Sequence, residues 1–154
     1  MIEERLAELG ITLPEPPNAV GSYMPAVASG RLLFISGQLP LRDGAIIAKG
    51  PVGEACTAQQ ARDAARQCVL NVLAIARRHA GSLDAISRFV QVQGFVNTPP
   101  GDASLCVPTL NAASDLLVEI FGERGRHSRA AVCAAALPLE AALELVVLLE
   151  LETD

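Results

Sequence analysis

A segment with a two-residue period near the C-terminus constrains the fold of this chain more than any other feature. From Leu143 to Leu151, leucine or valine occupies every second position, whereas Glu144 and Glu150 fall between them. Side chains of a β-strand point alternately to opposite faces of a sheet, so the segment predicts a strand with one buried apolar face. The other face carries carboxylates and is expected to meet water, a cavity or a partner.

Further strands and two long helices are predicted upstream from the same kind of pattern. Thr57 and Gln60 form a capping-box pattern at the start of the first helix, and Gly81 ends it. The second helix begins near Pro108 and stops at Gly122. The predicted strands cover 23–28, 31–37, 86–95 and 128–136, with a hairpin over 41–48. This order predicts an α+β fold, a mixed β-sheet with two helices packed on one face.

The length and the apolar content bound the organisation of the chain. A chain of 154 residues fits one domain, and we expect an N-terminal extension with a short helix at 1–18 and a single domain at 19–154. The mean hydropathy is +0.35. The longest run of leucine and valine, Leu145 to Leu149, is far shorter than the roughly 20 residues of a membrane span. The surplus apolar surface therefore predicts burial between subunits.

Charge, aromatic content and cysteine spacing exclude several classes of function. A net charge of −5, a single tyrosine and no tryptophan are poorly suited to binding phosphates or stacking bases, so no nucleic acid is expected. The acidic N-terminus lacks an apolar signal segment, which predicts a cytoplasmic location. No CxxC pair, ligand-spaced histidine or phosphate-binding glycine loop is present, so neither a metal nor a nucleotide cofactor is expected. The free, mostly buried thiols are Cys56, Cys68, Cys106 and Cys133.

Arg129 opens a strand that otherwise consists almost entirely of small residues. Arg129, Ala131 and Cys133 share one face of that strand. A guanidinium beside a cleft with small walls is suited to bidentate binding of a carboxylate. The commoner alternative is an arginine at a strand end that pairs with a surface acid. Cys133 is either a thiol of the same cleft or a buried, inert cysteine.

Glu144 is the second candidate, on the face of the last strand that does not meet the helices. If this strand paired antiparallel with the strand of Arg129, the carboxylate could hold a water close to the guanidinium. The alternative is a glutamate that faces solvent. His79 and His127 have no serine or cysteine partner that spacing identifies, which gives no indication of a catalytic triad.

Three other positions each have a functional and a structural interpretation. Tyr23 either covers an apolar pocket or is a half-buried aromatic at a sheet edge. The pair Ser36-Gly37 either lets a ligand approach the backbone closely or bends the chain. Asn111 either reaches a ligand or bonds to a loop.

The motifs around these candidates resemble the RidA/YjgF family, whose fold is similar to that of a trimeric chorismate mutase. The resemblance runs from about Val20 to Leu151 and includes a divergent first segment, Gly21-Ser22-Tyr23. The motifs that carry it are Leu33-Phe34-Ile35-Ser36-Gly37-Gln38-Leu39-Pro40 and Arg129-Ala130-Ala131-Val132 with Leu137-Pro138 and Glu144.

The resemblance implies a homotrimer with a β-barrel-like core and a small-molecule cleft at each subunit interface. It implies hydrolysis of reactive enamine or imine intermediates, such as 2-aminoacrylate, to 2-keto acids and ammonia without a cofactor. In this reading Arg129 binds the substrate carboxylate and Glu144 positions water. The implied substrate-binding residues are Tyr23, Ser36, Gly37 and Asn111. Cys133 is added to them because it shares a strand face with Arg129.

The chain also departs from the family pattern. Relatives usually have proline at the position of Ser22, serine or threonine at that of Ala130, and cysteine at that of Ala131. These differences place the chain in a divergent branch. Two alternatives to the deaminase stay open at this point. One is a non-catalytic trimer that binds a small carboxylate metabolite, and the other is an endoribonuclease, against which the negative charge argues.

Overall fold

Five strands form one mixed sheet, and two long helices cover one of its faces. The structure is a computed structural model that describes residues 1–18 and 21–152. Ala19 and Val20, where the predicted domain and the family resemblance begin, lie outside the described residues. The elements are α1 (Ile2–Glu8), β1 (Ala26–Ser29), β2 (Leu32–Gln38), β3 (Leu41–Arg42), β4 (Ala45–Ile46), α2 (Ala58–Ala80), β5 (Ile86–Asn97), α3 (Cys106–Phe121), β6 (Ser128–Ala134) and β7 (Leu143–Leu151).

The alternating segment is a strand, as the sequence predicts, and it forms the centre of the sheet. The strand order is β1-β2-β7-β5-β6, and β7 runs antiparallel to both of its neighbours. Leu143, Leu145 and Leu149 of β7 are completely buried. At the edge, β6 pairs in parallel with β5, because α3 carries the chain back across the sheet between them. The predicted α+β class with two helices on one face is confirmed.

Helix signals in the sequence also correspond to the structure. The backbone N–H of Gln60 donates to Thr57 Oγ1 at 3.1 Å, and the N–H of Thr57 donates to Gln60 Oε1 at 2.8 Å. This reciprocal capping box starts α2. Gly94 of β5 lets α3 approach the sheet, because a Cβ added there would lie 2.9 Å from Cγ of Leu110. The close approach brings the start of α3 next to the edge strand β6.

The N-terminal helix packs onto the rest of the chain. Ile2 and Leu6 are buried in the core, and the N–H of Ile2 donates to Asp84 Oδ1 at 2.7 Å. Arg5 Nε donates to the carbonyl of Glu119 in α3 at 3.2 Å. The segment before residue 18 therefore contributes packing to the core. None of the helices that the structure describes is long and apolar enough to cross a membrane.

Three local predictions are wrong. The first strand begins at Ala26, so Tyr23 lies before it, because Pro25 has no N–H to donate to a sheet. The strand that begins at Ser128 ends at Ala134, two residues earlier than its small residues suggest. Cys133 is exposed in the single chain, because its edge strand has only small neighbours to cover it.

The sheet face opposite the helices keeps an apolar patch, consisting of Val27, Phe34 and Val132. These side chains are 53%, 47% and 43% exposed. Val27 pairs with Phe34, and Phe34 pairs with Leu148 of β7, so the patch runs from β1 to β7, and Val132 adds a separate apolar side chain on the edge strand β6. This face is therefore a candidate interaction surface.

Candidate functional site

Arg129 lies at the start of β6 with its guanidinium against α3. It pairs with Val92, a buried residue, so its side chain points to the helix-covered side of the sheet. Its Nη1 donates to Asn111 Oδ1 at 3.0 Å and to Ser114 Oγ at 3.1 Å. Among the described residues, no carboxylate lies within 4.0 Å of the guanidinium. Within that part of the chain, the alternative of a pair with a surface acid is therefore wrong.

Ser114 and His127 continue the hydrogen-bond chain that begins at Arg129. Ser114 Oγ lies 2.9 Å from His127 Nε2, and His127 Nδ1 lies 2.7 Å from the carbonyl of Gly125. Burial is the main cause that lowers the pKa of His127, and the charge of Arg129 adds to it against the opposing hydrogen bond to Gly125. Spacing in the sequence does not identify this serine partner of His127. The 13-residue separation hides the pair, which forms only where α3, the following turn and β6 meet.

Cys133 lies on the same face as Arg129, because it pairs with the buried Val96. Its thiol contacts that of Cys106 at the start of α3. Burial, and after it the hydrogen bond with Cys133, raises the pKa of Cys106 to about 11. The Cys106 thiol is therefore a neutral neighbour of the guanidinium. We call the set of Arg129, Asn111, Ser114, His127 and Cys133 the arginine half-site.

Glu144 lies near the start of β7 on the open side of the sheet. Its carboxylate covers Gly37, since a Cβ added at Gly37 would overlap Oε1 and lie 2.9 Å from Cδ. Gly37 is part of a bulge between Ile35 and Gln38, where the register of β2 against β7 shifts. Partial burial raises the pKa of Glu144 above its ordinary value. The glycine thus provides the space that the carboxylate occupies.

Tyr23 lines an apolar cavity on the same side as Gly37. The cavity has a volume of about 150 Å³, and its walls include Tyr23, Pro25, Gly37, Leu39, Leu41 and Leu139. Ser36 holds this segment in place, because its Oγ donates to the carbonyl of Met24 at 2.6 Å. We call Glu144, Gly37, Ser36, Tyr23 and this cavity the glutamate half-site.

The two half-sites lie on opposite faces of the sheet of one chain. Arg129 shares its row with Val92 and Val147, which face the helices, whereas Glu144 shares its row with Phe95 and Val132. The predicted antiparallel pairing of their strands is wrong, because β5 lies between β6 and β7. The structure therefore brings neither residue to the other within one chain.

Metal chemistry has no obvious set of ligands here. Within residues 1–18 and 21–152, no three histidine, cysteine, aspartate or glutamate side chains lie close enough together to hold an ion. The chemistry that both half-sites offer is that of a guanidinium, a carboxylate and neutral hydrogen-bonding groups.

Comparison with known proteins identifies the family. The model described as "YjgF/chorismate mutase-like, putative endoribonuclease" matches residues 3–151. The chain belongs to the YjgF/chorismate-mutase-like family. This confirms the resemblance, and with it the fold that the resemblance implies.

Relatives of known sequence and structure are similar along nearly the whole chain. Protein TCP17 of Trypanosoma cruzi is 38% identical over 151 residues, 97% of this chain and 94% of that protein. The crystal structure of a protein of unknown function from Agrobacterium tumefaciens is 39% identical, covers 98% of this chain and 92% of its own, and has a TM-score of 0.90. A Shewanella oneidensis structure, named as that of a putative endoribonuclease, is 34% identical, with 98% and 99% covered and a TM-score of 0.93.

Proposed function

We propose that this protein hydrolyses reactive enamine or imine intermediates that carry a carboxylate, releasing a 2-keto acid and ammonia. The observation that carries the proposal is the state of the Arg129 guanidinium. Neutral groups hold it through one nitrogen, and no carboxylate of the described residues neutralises it. A positive fork kept free of protein acids is suited to the carboxylate of a small metabolite.

We further propose that the site is completed between copies of the chain. Arg129 and Glu144 lie on opposite faces of one sheet, so they can act on one substrate only when different copies supply them. The patch of Val27, Phe34 and Val132 supplies apolar area for such an assembly. In a homotrimer, three open sheet faces would enclose a β-barrel-like core, with a cleft at each interface.

In the proposed reaction, Arg129 fixes the carboxylate and Glu144 holds the attacking water. As the water oxygen bonds to the imine carbon, Glu144 takes a proton from the water, the C=N electron pair moves to nitrogen, and that nitrogen takes up a proton from solvent. Glu144 then gives its proton to the amino nitrogen of the carbinolamine, ammonia leaves with the C–N electron pair, and the hydroxyl proton passes to solvent as the C=O bond forms. A carboxylate whose pKa is raised by burial is the better proton acceptor for this step.

The cavity beside Gly37 is the proposed place for the substrate side chain. Its volume of about 150 Å³ and its mostly apolar walls, in which Asn18 and Gln38 are the amide side chains, are suited to a small aliphatic group. Substrates with a charged side chain would lose solvation there and would meet no oppositely charged side chain in the lining.

A second candidate is a trimer that binds a small carboxylate metabolite without converting it. The completeness of the arginine half-site supports this alternative, because binding needs only that half. Ribonuclease activity, which the family description mentions, is disfavoured by the net charge of −5.

The experiment is to measure keto acid and ammonia release from imines that an amino acid oxidase generates in the assay. We expect Arg129→Ala to lower kcat/KM at least about a hundredfold, since the reacting carbon is then no longer positioned. Glu144→Gln should slow hydrolysis by about a hundredfold while 2-oxobutanoate still binds. Binding without turnover in the wild type would favour the metabolite-binding alternative, and full activity of Arg129→Ala would refute the role of that residue.

A further inference from the structure

The arginine half-site contains two side chains for which the proposed reaction has no direct use, Ser114 and His127. We propose that they are positioning residues that orient the Arg129 guanidinium, so that a carboxylate binds it side-on through Nε and Nη2. The inference rests on the proposed function, because that function gives Arg129 a substrate carboxylate.

The donors and acceptors of the hydrogen bonds that link Arg129, Ser114, His127 and Gly125 follow from the groups involved. Arginine only donates, so Ser114 Oγ accepts from Nη1. The carbonyl of Gly125 only accepts, so His127 carries a proton on Nδ1. In the neutral imidazole Nε2 is then an acceptor, and the Ser114 hydroxyl donates to it. The backbone of the turn before β6 thereby sets the orientation of a lone pair of Ser114 toward Arg129.

The number of donor hydrogens determines which edge of the Arg129 guanidinium a ligand can use. Nη1 has two hydrogens, of which one goes to Asn111 and the other to Ser114. An end-on carboxylate would need one of them. Nε and Nη2 make no hydrogen bond to the described residues and form the remaining pair of parallel donors. Asn111 and Ser114, one helical turn apart on α3, therefore select side-on binding together.

Burial first, and then the charge of Arg129, lower the pKa of His127 and favour the neutral imidazole. Arg129 lies on the other side of Ser114, whose hydroxyl bonds to both side chains. Arg88 and Arg126 line a shallow cavity together with His127. Arg126 pairs with Glu123 and Arg88 pairs with Glu150, so neither carboxylate is free to stabilise a histidinium. A proton on Nε2 would take the acceptor from the Ser114 hydroxyl and set a positive charge beside the guanidinium. Acid should therefore loosen the orientation of Arg129.

Four variants test this role. Ser114→Ala and His127→Leu remove one link each and should raise KM for the imine about tenfold, with a smaller change in kcat. Ser114→Thr keeps the hydroxyl and His127→Gln keeps an acceptor at the Nε2 position, so both should stay within about twofold of the wild type. The KM of the wild type should rise in acid, whereas that of His127→Gln should not. Ser128→Ala and His79→Gln, which alter exposed residues outside the chain of bonds, are the matched controls.

A spectroscopic measurement separates this inference from the proposed reaction. In ¹⁵N spectra of the free wild-type protein, His127 should be the neutral Nδ1–H tautomer, and rotation of the Arg129 guanidinium about Nε–Cζ should be slow. Ser114→Ala should accelerate that rotation, and Ser114→Thr should not. If the wild type hydrolyses no imine, the proposed function fails and these spectra still decide the orientation. Equal rotation in wild type and Ser114→Ala, or equal KM for His127→Leu and wild type, would overturn the inference.

Discussion

Gly37→Ala should impair hydrolysis while leaving the fold intact. The backbone of Gly37 does not have a positive φ, so alanine causes no backbone strain there. Its Cβ would overlap Oε1 of Glu144 and lie 2.9 Å from Cδ and 3.3 Å from Cγ. Ordinary contact starts at 3.4 Å, so the carboxyl carbon must move by at least about half an ångström and the oxygen by more. These atoms belong to the end of a flexible side chain, which can rotate away.

The expected loss follows from that displacement. A reacting group misplaced by about 1 Å can cost a factor of about a hundred in rate, so kcat should fall about ten- to a hundredfold. The melting temperature should stay the same or rise slightly, because replacing glycine in an extended segment reduces the entropy of the unfolded chain. Keto acid release and thermal unfolding measure the two quantities on the same samples.

A double-mutant comparison identifies the path of the effect. If Gly37 affects the rate only through the carboxylate, adding Gly37→Ala to a Glu144→Ala protein should not lower the rate further. A wild-type rate for Gly37→Ala would show that the position of the carboxylate does not matter for the reaction. A fall in melting temperature that tracks the fall in rate would show a general disturbance of the bulge instead.

Two further changes give separate expectations. Glu144→Gln should raise the melting temperature at neutral pH, because partial burial penalises the ionised carboxylate and raises its pKa. Glu144 in the native state then keeps its proton to higher pH than it does in the unfolded chain. The stability of the wild type therefore falls as the pH rises from about 4.5 through the raised pKa. Below about pH 4.5, the difference in melting temperature between Glu144→Gln and the wild type should vanish. Phe34→Glu places a charge in the apolar patch and should therefore convert the proposed assembly to monomers, which light scattering measures. Arg42→Glu, on the exposed hairpin, is the control. An unchanged mass for Phe34→Glu would exclude that face from the interface.

The elements with repeated local signals could be predicted from the sequence. The β7 segment has leucine or valine at every second position and is a strand with the predicted bounds. The Thr57–Gln60 capping box and Gly81 determine both ends of α2 through bonds within a few residues of each end. Asn111 could also be proposed, because the family resemblance marks it, and the structure places it on Arg129.

Features that depend on pairing between distant segments could not be predicted in the same way. The neighbour of β6 is decided by the path of α3, not by any residue of β6, so the opposite placement of Arg129 and Glu144 has no local signature. Ser114 occupies an ordinary position in an amphipathic helix, and only its distance to His127 reveals a role. Exposure of Cys133 likewise follows from its place on an edge strand.

Division of the candidate site between two sheet faces has a consequence for when the protein can act. In one chain, Arg129 can bind a carboxylate but has no glutamate nearby, and Glu144 has a cavity but no cation. Neither half-site lowers the stability of the single chain much, because Arg129 has neutral hydrogen-bond partners and Glu144 is only partly buried. Association would then be the step that places a desolvated carboxylate near the substrate. Catalysis should accordingly depend on protein concentration as the oligomer does, with binding of a carboxylate probe surviving dilution better than turnover.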